Sequence, residues 1–276
     1  MIRASISEFS TYRSELPEEI AQLVRHGFDS IALWRTKLSD IGPGEARTLL
    51  DTAGIRASSL LWGGGFTGGD GRSFRESLDD VREGIATAVE VGAGVLVLHA
   101  GCRGGHTIGH ARRLLAEAMH ELGPAAAGEG VTLAIKPLHP ATSSDCSFLG
   151  GLEETFDFVD ALDEPAVMLA VDLWQFADEP GFIESLRRML SRVAVVQAAD
   201  RFGPPSPESE RLPPGQGVLP LQRIIRELVR QGYRGDVEFD CVGEAVEAMG
   251  VEPLLESLDA SFSQWLGQPQ VAAARR

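Results

Sequence analysis

The chain has 276 residues, and its 25 Lys and Arg residues face 40 Asp and Glu residues, so that the formal net charge is −15. This acidity argues against nucleic acid or an anionic membrane as the main partner, because both select basic surfaces. The length and a hydrophobic content of 43% suit one large α/β domain or two small ones, and a chain of this length can form a core without disulfides or a structural metal.

Eight short β-like segments alternate along the chain with amphipathic segments. The predicted strands are Ile2–Ile6, Ser30–Trp34, Ile55–Trp62, Gly94–Gly101, Val131–Leu138, Ala166–Phe176, Val193–Asp200 and Asp236–Val242. The predicted helices, which repeat apolar residues at spacings of three and four, include Pro17–His26, Ser73–Val91, His110–Gly128, Leu152–Leu162, Gly181–Arg192 and Leu221–Gln231.

The alternation of strand and helix predicts a parallel sheet with right-handed crossovers. The strands are continuously apolar, which is typical of strands buried on both faces, and eight such units in about 250 residues indicate a single (β/α)8 TIM barrel. A doubly wound open sheet is the alternative, but no GxGxxG turn follows the first strand, and we expect no nucleotide cofactor. We predict the barrel over residues 1–267 and a frayed tail over residues 268–276.

Cysteine usage and hydropathy bear on the location of the protein. The three cysteines, Cys102, Cys146 and Cys241, fit no zinc-binding spacing, and their odd number indicates a reducing setting. The segment MIRASISEFS lacks the pattern of a signal peptide, and no apolar run approaches the roughly 20 residues that span a bilayer. We expect a cytoplasmic protein without a membrane segment.

Two long loops follow predicted strands. Residues 201–217, RFGPPSPESERLPPGQG, are too polar and proline-rich for regular structure, and their position after strand seven places them over the C-terminal face of the barrel. Loops there often carry function, although a floppy insertion is the alternative. The glycine-rich WGGGFTGGDG after strand three lacks GxxxxGK[ST], so it is a weak match to a phosphate-binding loop.

Polar residues interrupt the apolar strands near their C-terminal ends, where barrel enzymes carry their chemistry. They are His99, Lys136, His139, Asp172, Gln175, Gln197, Glu238 and Asp240, while Trp34 and Trp62 end strands two and three. The alternative for His99 is a structural histidine, and the alternative for Trp34 and Trp62 is that both are packed in the core. A buried Asp172 or Lys136 costs several kcal/mol unless it is paired or metal-bound. Clustered carboxylates need a cation, which is either a divalent metal or the ammonium of Lys136.

Four segments carry a family resemblance: LAIKPLHP, VDLWQ, VVQAADRFGP followed by RLPPGQGVLPL, and GYRGDVEFD. In this order and spacing the chain resembles, over nearly its whole length, the sugar phosphate isomerase/epimerase family of xylose isomerase-like TIM barrels, which are related to endonuclease IV. The resemblance implies one divalent metal, Mn or Mg, held by strands five to eight, and proton transfer at a carbon next to a carbonyl. It also implies a small-molecule substrate and a homo-oligomer.

Carried over by position, the resemblance implies that Asp172, Gln197 and Asp240 are metal ligands and that Arg211 contacts the substrate. Lys136 departs from the pattern, because the family has there a Glu that is both ligand and base. A protonated lysine cannot bind a metal and repels one. Three interpretations of Lys136 stay open: its ammonium replaces the metal, its amine is a base or a Schiff-base nucleophile, or it has disabled a metal site.

The leading hypothesis is a sugar or cyclitol isomerase or epimerase, with Asp240 or Glu238 as the base and Lys136 or a metal at the developing oxyanion. The expected substrate contacts are Trp34, Trp62, His99, His139, Gln175 and Arg211. A lyase or dehydratase begins with the same proton abstraction, and a barrel that binds a metabolite without turnover is the non-enzymatic alternative. The related endonucleases need a basic groove and many His ligands for several zinc ions. An endonuclease is therefore disfavoured, because this chain is acidic and has six His residues.

Overall fold

The structure is a computed structural model that describes residues 2–143 and 146–267. Eight parallel strands pair in chain order, and the last pairs with the first, so that the sheet closes into a barrel. The strands are β1 Arg3–Ser7, β2 Ser30–Trp34, β3 Arg56–Gly64, β4 Val95–His99, β5 Thr132–Ile135, β6 Val167–Asp172, β7 Val193–Ala198 and β8 Asp236–Phe239. The predicted (β/α)8 barrel is therefore confirmed, and each strand falls within or overlaps its predicted segment.

Helices surround the barrel, and each predicted helix is present with ends shifted by a few residues. They are α1 Leu16–Arg25, α2 Arg35–Ile41, α3 Pro43–Ala53, α4 Phe74–Val91, α5 Ile108–Gly128, α6 Pro140–Ser143, α7 Leu152–Leu162, α8 Leu173–Phe176, α9 Phe182–Met189, α10 Leu221–Arg230, α11 Glu244–Met249 and α12 Val251–Leu266. Their apolar faces pack on the outer faces of the strands and form the main core. The predicted tail, residues 268–276, lies outside the described residues.

The interior of the barrel holds a second, smaller apolar cluster. Its buried members are Ala32, Leu61, Val97, Ala134, Ala170 and Val195, one from each of six strands. Side chains alternate between the two faces of a strand, so the residue two positions further along points into the barrel again, nearer its C-terminal mouth. Those next positions include Trp34, His99, Lys136, Asp172 and Gln197. This alternation is the reason that side chains far apart in sequence meet at one end of the barrel.

The long loop between β7 and α10 is irregular, as predicted, but it is anchored at several points. Asp200 and Leu212 exchange backbone hydrogen bonds, as do Arg211 and Val242. The carboxylate of Asp200 accepts hydrogen bonds from the backbone N–H groups of Arg201, Gly215 and Leu219, each at 2.9 Å. These contacts hold the segment around Arg211 across the mouth of the barrel. They do not support the alternative that the loop is an unstructured insertion.

Within residues 2–143 and 146–267, no helix combines the length and the apolar character needed to cross a membrane. No disulfide joins the cysteines of this part of the chain.

Candidate active site

The mouth of the barrel contains a buried cluster of opposite charges. Lys136 Nζ lies 3.0 Å from Asp172 Oδ2. Arg211 Nη2 lies 2.9 Å from Asp172 Oδ1 and 3.0 Å from Asp240 Oδ2. Two cations therefore face two carboxylates, and the four side chains come from the C-terminal ends of β5, β6 and β8 and from the β7–α10 loop. The structure brings Lys136, Asp172 and Asp240 together and adds Arg211 between the acids, whereas Glu238 lies outside this cluster.

Asp172 is the centre of this cluster. Besides the two cations, its Oδ1 accepts a hydrogen bond from the backbone N–H of Trp174 at 3.1 Å. Burial raises the pKa of the Asp172 carboxyl, but Arg211 and Lys136 outweigh burial and hold this pKa well below its usual value. Asp172 is consequently ionised across the ordinary pH range and is a poor proton acceptor.

Arg211 is held in place from three directions. Its backbone pairs with Val242, its Nε donates to the carbonyl oxygen of Asp240 at 2.8 Å, and its guanidinium lies 5.0 Å from the ring centre of Trp174. The same tryptophan is 5.9 Å from the guanidinium of Arg201, a fully buried arginine whose Nε donates to the Trp174 carbonyl at 2.7 Å. Sequence reasoning missed Trp174 and Arg201, because nothing in the pattern distinguishes them from core and surface residues.

Glu238 and Gln197 lie in the barrel interior. Asp172, Gln197 and Glu238 are register partners across β6, β7 and β8. The Glu238 carboxylate accepts hydrogen bonds from Ser58 Oγ at 2.7 Å, Ser59 Oγ at 2.6 Å and Gln197 Nε2 at 3.1 Å. Burial raises the pKa of Glu238, and the residue is 0% exposed. Its carboxylate is thus enclosed in the barrel, one inward-facing residue nearer the start of β8 than Asp240.

An aromatic shelf borders the charged cluster. We use this name for Phe9, Trp34, Trp62 and His99. Phe9 lies 4.8 Å from Trp34 and 4.9 Å from Trp62 between ring centres, and Trp62 stacks on His99 at 4.7 Å. Trp62 is 38% exposed, so one part of the shelf is accessible to a ligand. Phe9 is the second residue after β1 and was not predicted.

His99 is neutral at ordinary pH. Burial lowers the pKa of its imidazole to about 3, and the nearby charge of Lys136 acts in the same direction. Its Nε2 is buried without a hydrogen-bond partner among the described residues. The same is true of Gln197 Oε1. Both atoms are therefore able to hydrogen-bond to a ligand that reaches them.

His139 and Gln175 contact each other rather than the charged cluster. Gln175 Oε1 accepts hydrogen bonds from the backbone N–H of His139 at 3.0 Å and from Thr142 Oγ1 at 3.1 Å. His139 Nδ1 accepts a hydrogen bond from the backbone N–H of Ala141 at 3.2 Å. These bonds fix the loop after β5, and the role of both residues in substrate binding stays a prediction.

A second buried charge cluster lies between β1, α1 and α2. Lys37 Nζ lies 3.3 Å from Glu8 Oε1 and 2.6 Å from Glu19 Oε2. Glu8 also accepts a hydrogen bond from the backbone N–H of Trp34, and Glu19 accepts one from Thr11. Burial and the neighbouring Glu8 raise the pKa of Glu19 to about 8. The chain has two lysines, Lys37 and Lys136, and each is ion-paired with buried acids: Lys37 with Glu8 and Glu19, and Lys136 with Asp172. The rarity of lysine in this sequence was the one available signal for Lys37.

The residues at the mouth do not fit a divalent metal in this arrangement. Both carboxylate oxygens of Asp172 and Oδ2 of Asp240 are paired with Lys136 or Arg211, and a metal that binds Asp172 would have to displace both cations. Among the described residues, no group of three or more His, Cys, Asp and Glu side chains is arranged to hold a metal ion. Asp172, Gln197 and Asp240 as metal ligands stay a prediction from the resemblance.

A family model described as xylose isomerase-like TIM barrel matches residues 20–265. The chain belongs to the xylose isomerase-like TIM barrel family. This confirms the resemblance that the sequence motifs carry. No curated protein matches the chain.

Solved structures agree with the fold. Protein SMc04130 from Sinorhizobium meliloti 1021 has 26% identity and a TM-score of 0.84, over 96% of this chain and 97% of that one. The IOLI protein with a binding zinc atom has 18% identity and a TM-score of 0.83, over 96% of this chain and 98% of that one. An L-ribulose 3-epimerase has 16% identity and a TM-score of 0.78, over 97% of this chain and 95% of that one.

Proposed function

We propose that the protein is a sugar or cyclitol isomerase or epimerase that removes a proton from a carbon next to a carbonyl. The observation that carries this proposal is the charge cluster of Lys136, Asp172, Arg211 and Asp240 at the barrel mouth. The cluster lies at the end of the barrel where this fold carries its chemistry. The similarity to an L-ribulose 3-epimerase gives further support.

Asp240 is our choice for the base. Asp172 is engaged by two cations and a backbone N–H, and Glu238 is enclosed by two serines and Gln197. Asp240 pairs with Arg211 through Oδ2, and its side chain is 10% exposed. Among the three acids, it is therefore the one that a ligand can approach most directly.

Lys136 supplies the positive charge at the substrate oxygen. An ammonium has three N–H donors, and Asp172 is its one ion-pair partner among the described residues. The remaining donors can hold a carbonyl oxygen. When Asp240 takes the proton from the adjacent carbon, the C–H electron pair forms a carbon–carbon double bond and the carbonyl pair moves to oxygen. Lys136 stabilises the resulting oxyanion. For an isomerase, Asp240 returns the proton to the former carbonyl carbon while the proton of the neighbouring hydroxyl passes to the oxyanion, so that the carbonyl changes place. For an epimerase, a proton from solvent adds to the opposite face of the same carbon, the carbonyl re-forms, and Asp240 releases its proton to solvent.

No step of this proposal uses a metal, because the donor set does not fit one. A Schiff base is also less well supported, because it requires a neutral amine, whereas Lys136 is ion-paired with Asp172 at 3.0 Å. One observation favours the non-catalytic alternative. Arg211 contacts both Asp172 and Asp240, so a ligand must share or displace this arginine before Asp240 can act.

The experiment is a hydrogen-exchange assay. The purified protein, treated with chelator, is incubated in D2O with a panel of ketoses and keto-cyclitols, and NMR follows the carbon-bound hydrogens. We expect deuterium next to the carbonyl in at least one compound and no exchange with Asp240→Asn. An exposed acid variant, Glu18→Gln, is the matched control.

Each other outcome contradicts the proposal in a distinct way. Exchange with loss of a leaving group would indicate a lyase. Binding without exchange would indicate a metabolite-binding barrel. Absence of both binding and exchange across the panel would overturn the proposed substrate class.

A further inference from the structure

Trp174 connects the charged residues of the mouth to each other. It lies in α8, two residues after Asp172, and is 4% exposed. Its backbone N–H donates to Asp172 Oδ1 at 3.1 Å, and its indole Nε1 donates to the carbonyl oxygen of Glu210 at 3.0 Å. One buried residue thus contacts both the acid at the end of β6 and the loop that carries Arg211.

The indole fixes the backbone from which the Arg211 side chain starts. The peptide group between Glu210 and Arg211 is bound on both sides, because Trp174 Nε1 donates to its carbonyl oxygen and its N–H donates to the carbonyl oxygen of Val242 at 2.9 Å. This peptide group cannot turn without breaking one of the two hydrogen bonds. Trp174 and Val242 together therefore set the starting point of the Arg211 side chain.

The indole also contacts the other end of the Arg211 side chain. The guanidinium carbon lies 5.0 Å from the ring centre, within the roughly 6 Å over which an aromatic ring attracts a cation. Arg211 Nε donates to the carbonyl oxygen of Asp240 at 2.8 Å, and Nη2 lies 2.9 Å from Asp172 Oδ1 and 3.0 Å from Asp240 Oδ2. The ring therefore helps to hold the guanidinium in one position between the two acids.

Arg201 fixes Trp174 in turn. Its Nε donates to the carbonyl oxygen of Trp174 at 2.7 Å, and its Nη2 donates to Asp178 Oδ1 at 2.5 Å. Burial of a charge is costly unless the charge is paired and hydrogen-bonded, and Arg201 is 0% exposed, so it is too enclosed to contact a ligand. We therefore assign Arg201 to the support of Trp174 rather than to ligand binding.

We propose that Trp174 is a positioning residue, which keeps Arg211 in place while a ligand is bound and its proton is transferred. Arg211 binds Oδ2 of Asp240, so Oδ1 is the oxygen that stays available to accept the proton. The arginine is then shared with the ligand and does not leave Asp240. This inference rests on the proposed function, because it describes how Asp240 acts as a base beside a fixed arginine.

Nuclear magnetic resonance tests the position of Arg211 in the full chain without any ligand. Arg211 Nε–H should give a slowly exchanging arginine signal, identified by its loss in Arg211→Lys. Trp174→Leu removes both contacts of the indole with the Arg211 segment, and we expect this Nε–H to exchange with solvent at least about tenfold faster. Trp174→Phe keeps an aromatic ring but loses the bond to Glu210, so it should show a smaller acceleration; it carries the test if the leucine variant does not fold.

Trp265→Leu is the matched control, because it removes another buried tryptophan, near the end of α12, and should leave the Arg211 signal unchanged. An unchanged exchange rate in the Trp174 variants would overturn the inference. An equal acceleration in Trp265→Leu would overturn it as well, since that result would indicate general loosening of the fold.

The deuterium-exchange assay tests the consequence for the reaction. With a ketose on which the natural chain acts, Trp174→Leu should exchange at least about tenfold more slowly at saturating ketose, because a misplaced group loses much of its effect on the reaction. Trp174→Phe should recover part of the rate. Full activity of Trp174→Leu would contradict the role of a fixed arginine. If the natural chain exchanges no ketose, the proposed function fails, and the resonance measurement still decides whether Trp174 positions Arg211.

Discussion

The amine of Lys136 lies 3.0 Å from the carboxylate of Asp172, and their side chains are 6% and 0% exposed. Arg211 binds the second oxygen of the same carboxylate. Burial of a lone charge is costly, and a buried pair offsets this cost when its geometry is good. The mouth of this barrel therefore carries its own positive charges, and both the stability and the chemistry of the mouth depend on them.

Loss of the amine should destabilise the fold. Lys136→Met leaves Asp172 with Arg211 as its one remaining cation, and we expect the free energy of unfolding to fall by about 3 kcal/mol, since removal of one partner of a buried pair typically costs that much. Urea denaturation at pH 7 measures the loss. In Lys136→Met/Asp172→Asn the loss should be smaller than the sum of the two single losses, and simple additivity would show that the pair is not coupled.

His99 should make the protein less stable in mild acid. Its folded-state pKa of about 3 lies below the ordinary value of 6.5, so its contribution is present above pH 6.5 and is lost as the pH falls toward 3. We expect His99→Asn to remove roughly 2 kcal/mol of the difference in unfolding free energy between pH 7 and pH 4. His26→Asn is the control, and an unchanged pH profile of His99→Asn would contradict the assignment.

Glu19 should make the protein less stable as the pH rises, which is the reverse of the effect of His99. Its folded-state pKa of about 8 lies above the ordinary 4.5, so its contribution is present below pH 4.5 and is lost as the pH rises through 8. The unfolding free energy of Glu19→Gln should therefore fall less between pH 6 and pH 8 than that of the natural chain, by about 2 kcal/mol. Denaturation at three pH values tests this, with Glu18→Gln on the exposed side of α1 as the control. An identical slope in Glu19→Gln would refute it.

The fold was predictable because eight short β-like segments alternate with amphipathic ones, and the apolar residues of β4 to β7 lead into a polar residue near the end of each strand. The alternation of side chains along β4 to β7 then dictates that His99, Lys136, Asp172 and Gln197 share the barrel mouth. The eight strand positions follow from the same pattern. Residue spacing alone was sufficient for this part of the site.

The partners of these residues were not predictable, because they depend on contacts between loops. Arg211 reaches Asp172 and Asp240 after two backbone pairings of an irregular loop. Glu238 shares a strand face with Asp240, yet Ser58 and Ser59 of β3 enclose it from across the barrel. The cluster of Glu8, Lys37 and Glu19 joins a loop and two helices, and no sequence spacing relates them.

Lys136 and Arg211, in our proposal, occupy the place of a divalent ion, and a measurement of metal binding decides whether they do. Calorimetric titration with Mn²⁺, together with metal analysis of protein purified without chelator, should show no stoichiometric binding to the natural chain. Lys136→Glu, which changes the local charge by two units, should bind Mn²⁺ at least about tenfold more tightly. One equivalent of tightly bound metal in the natural chain, lost in Asp172→Asn, would contradict the account.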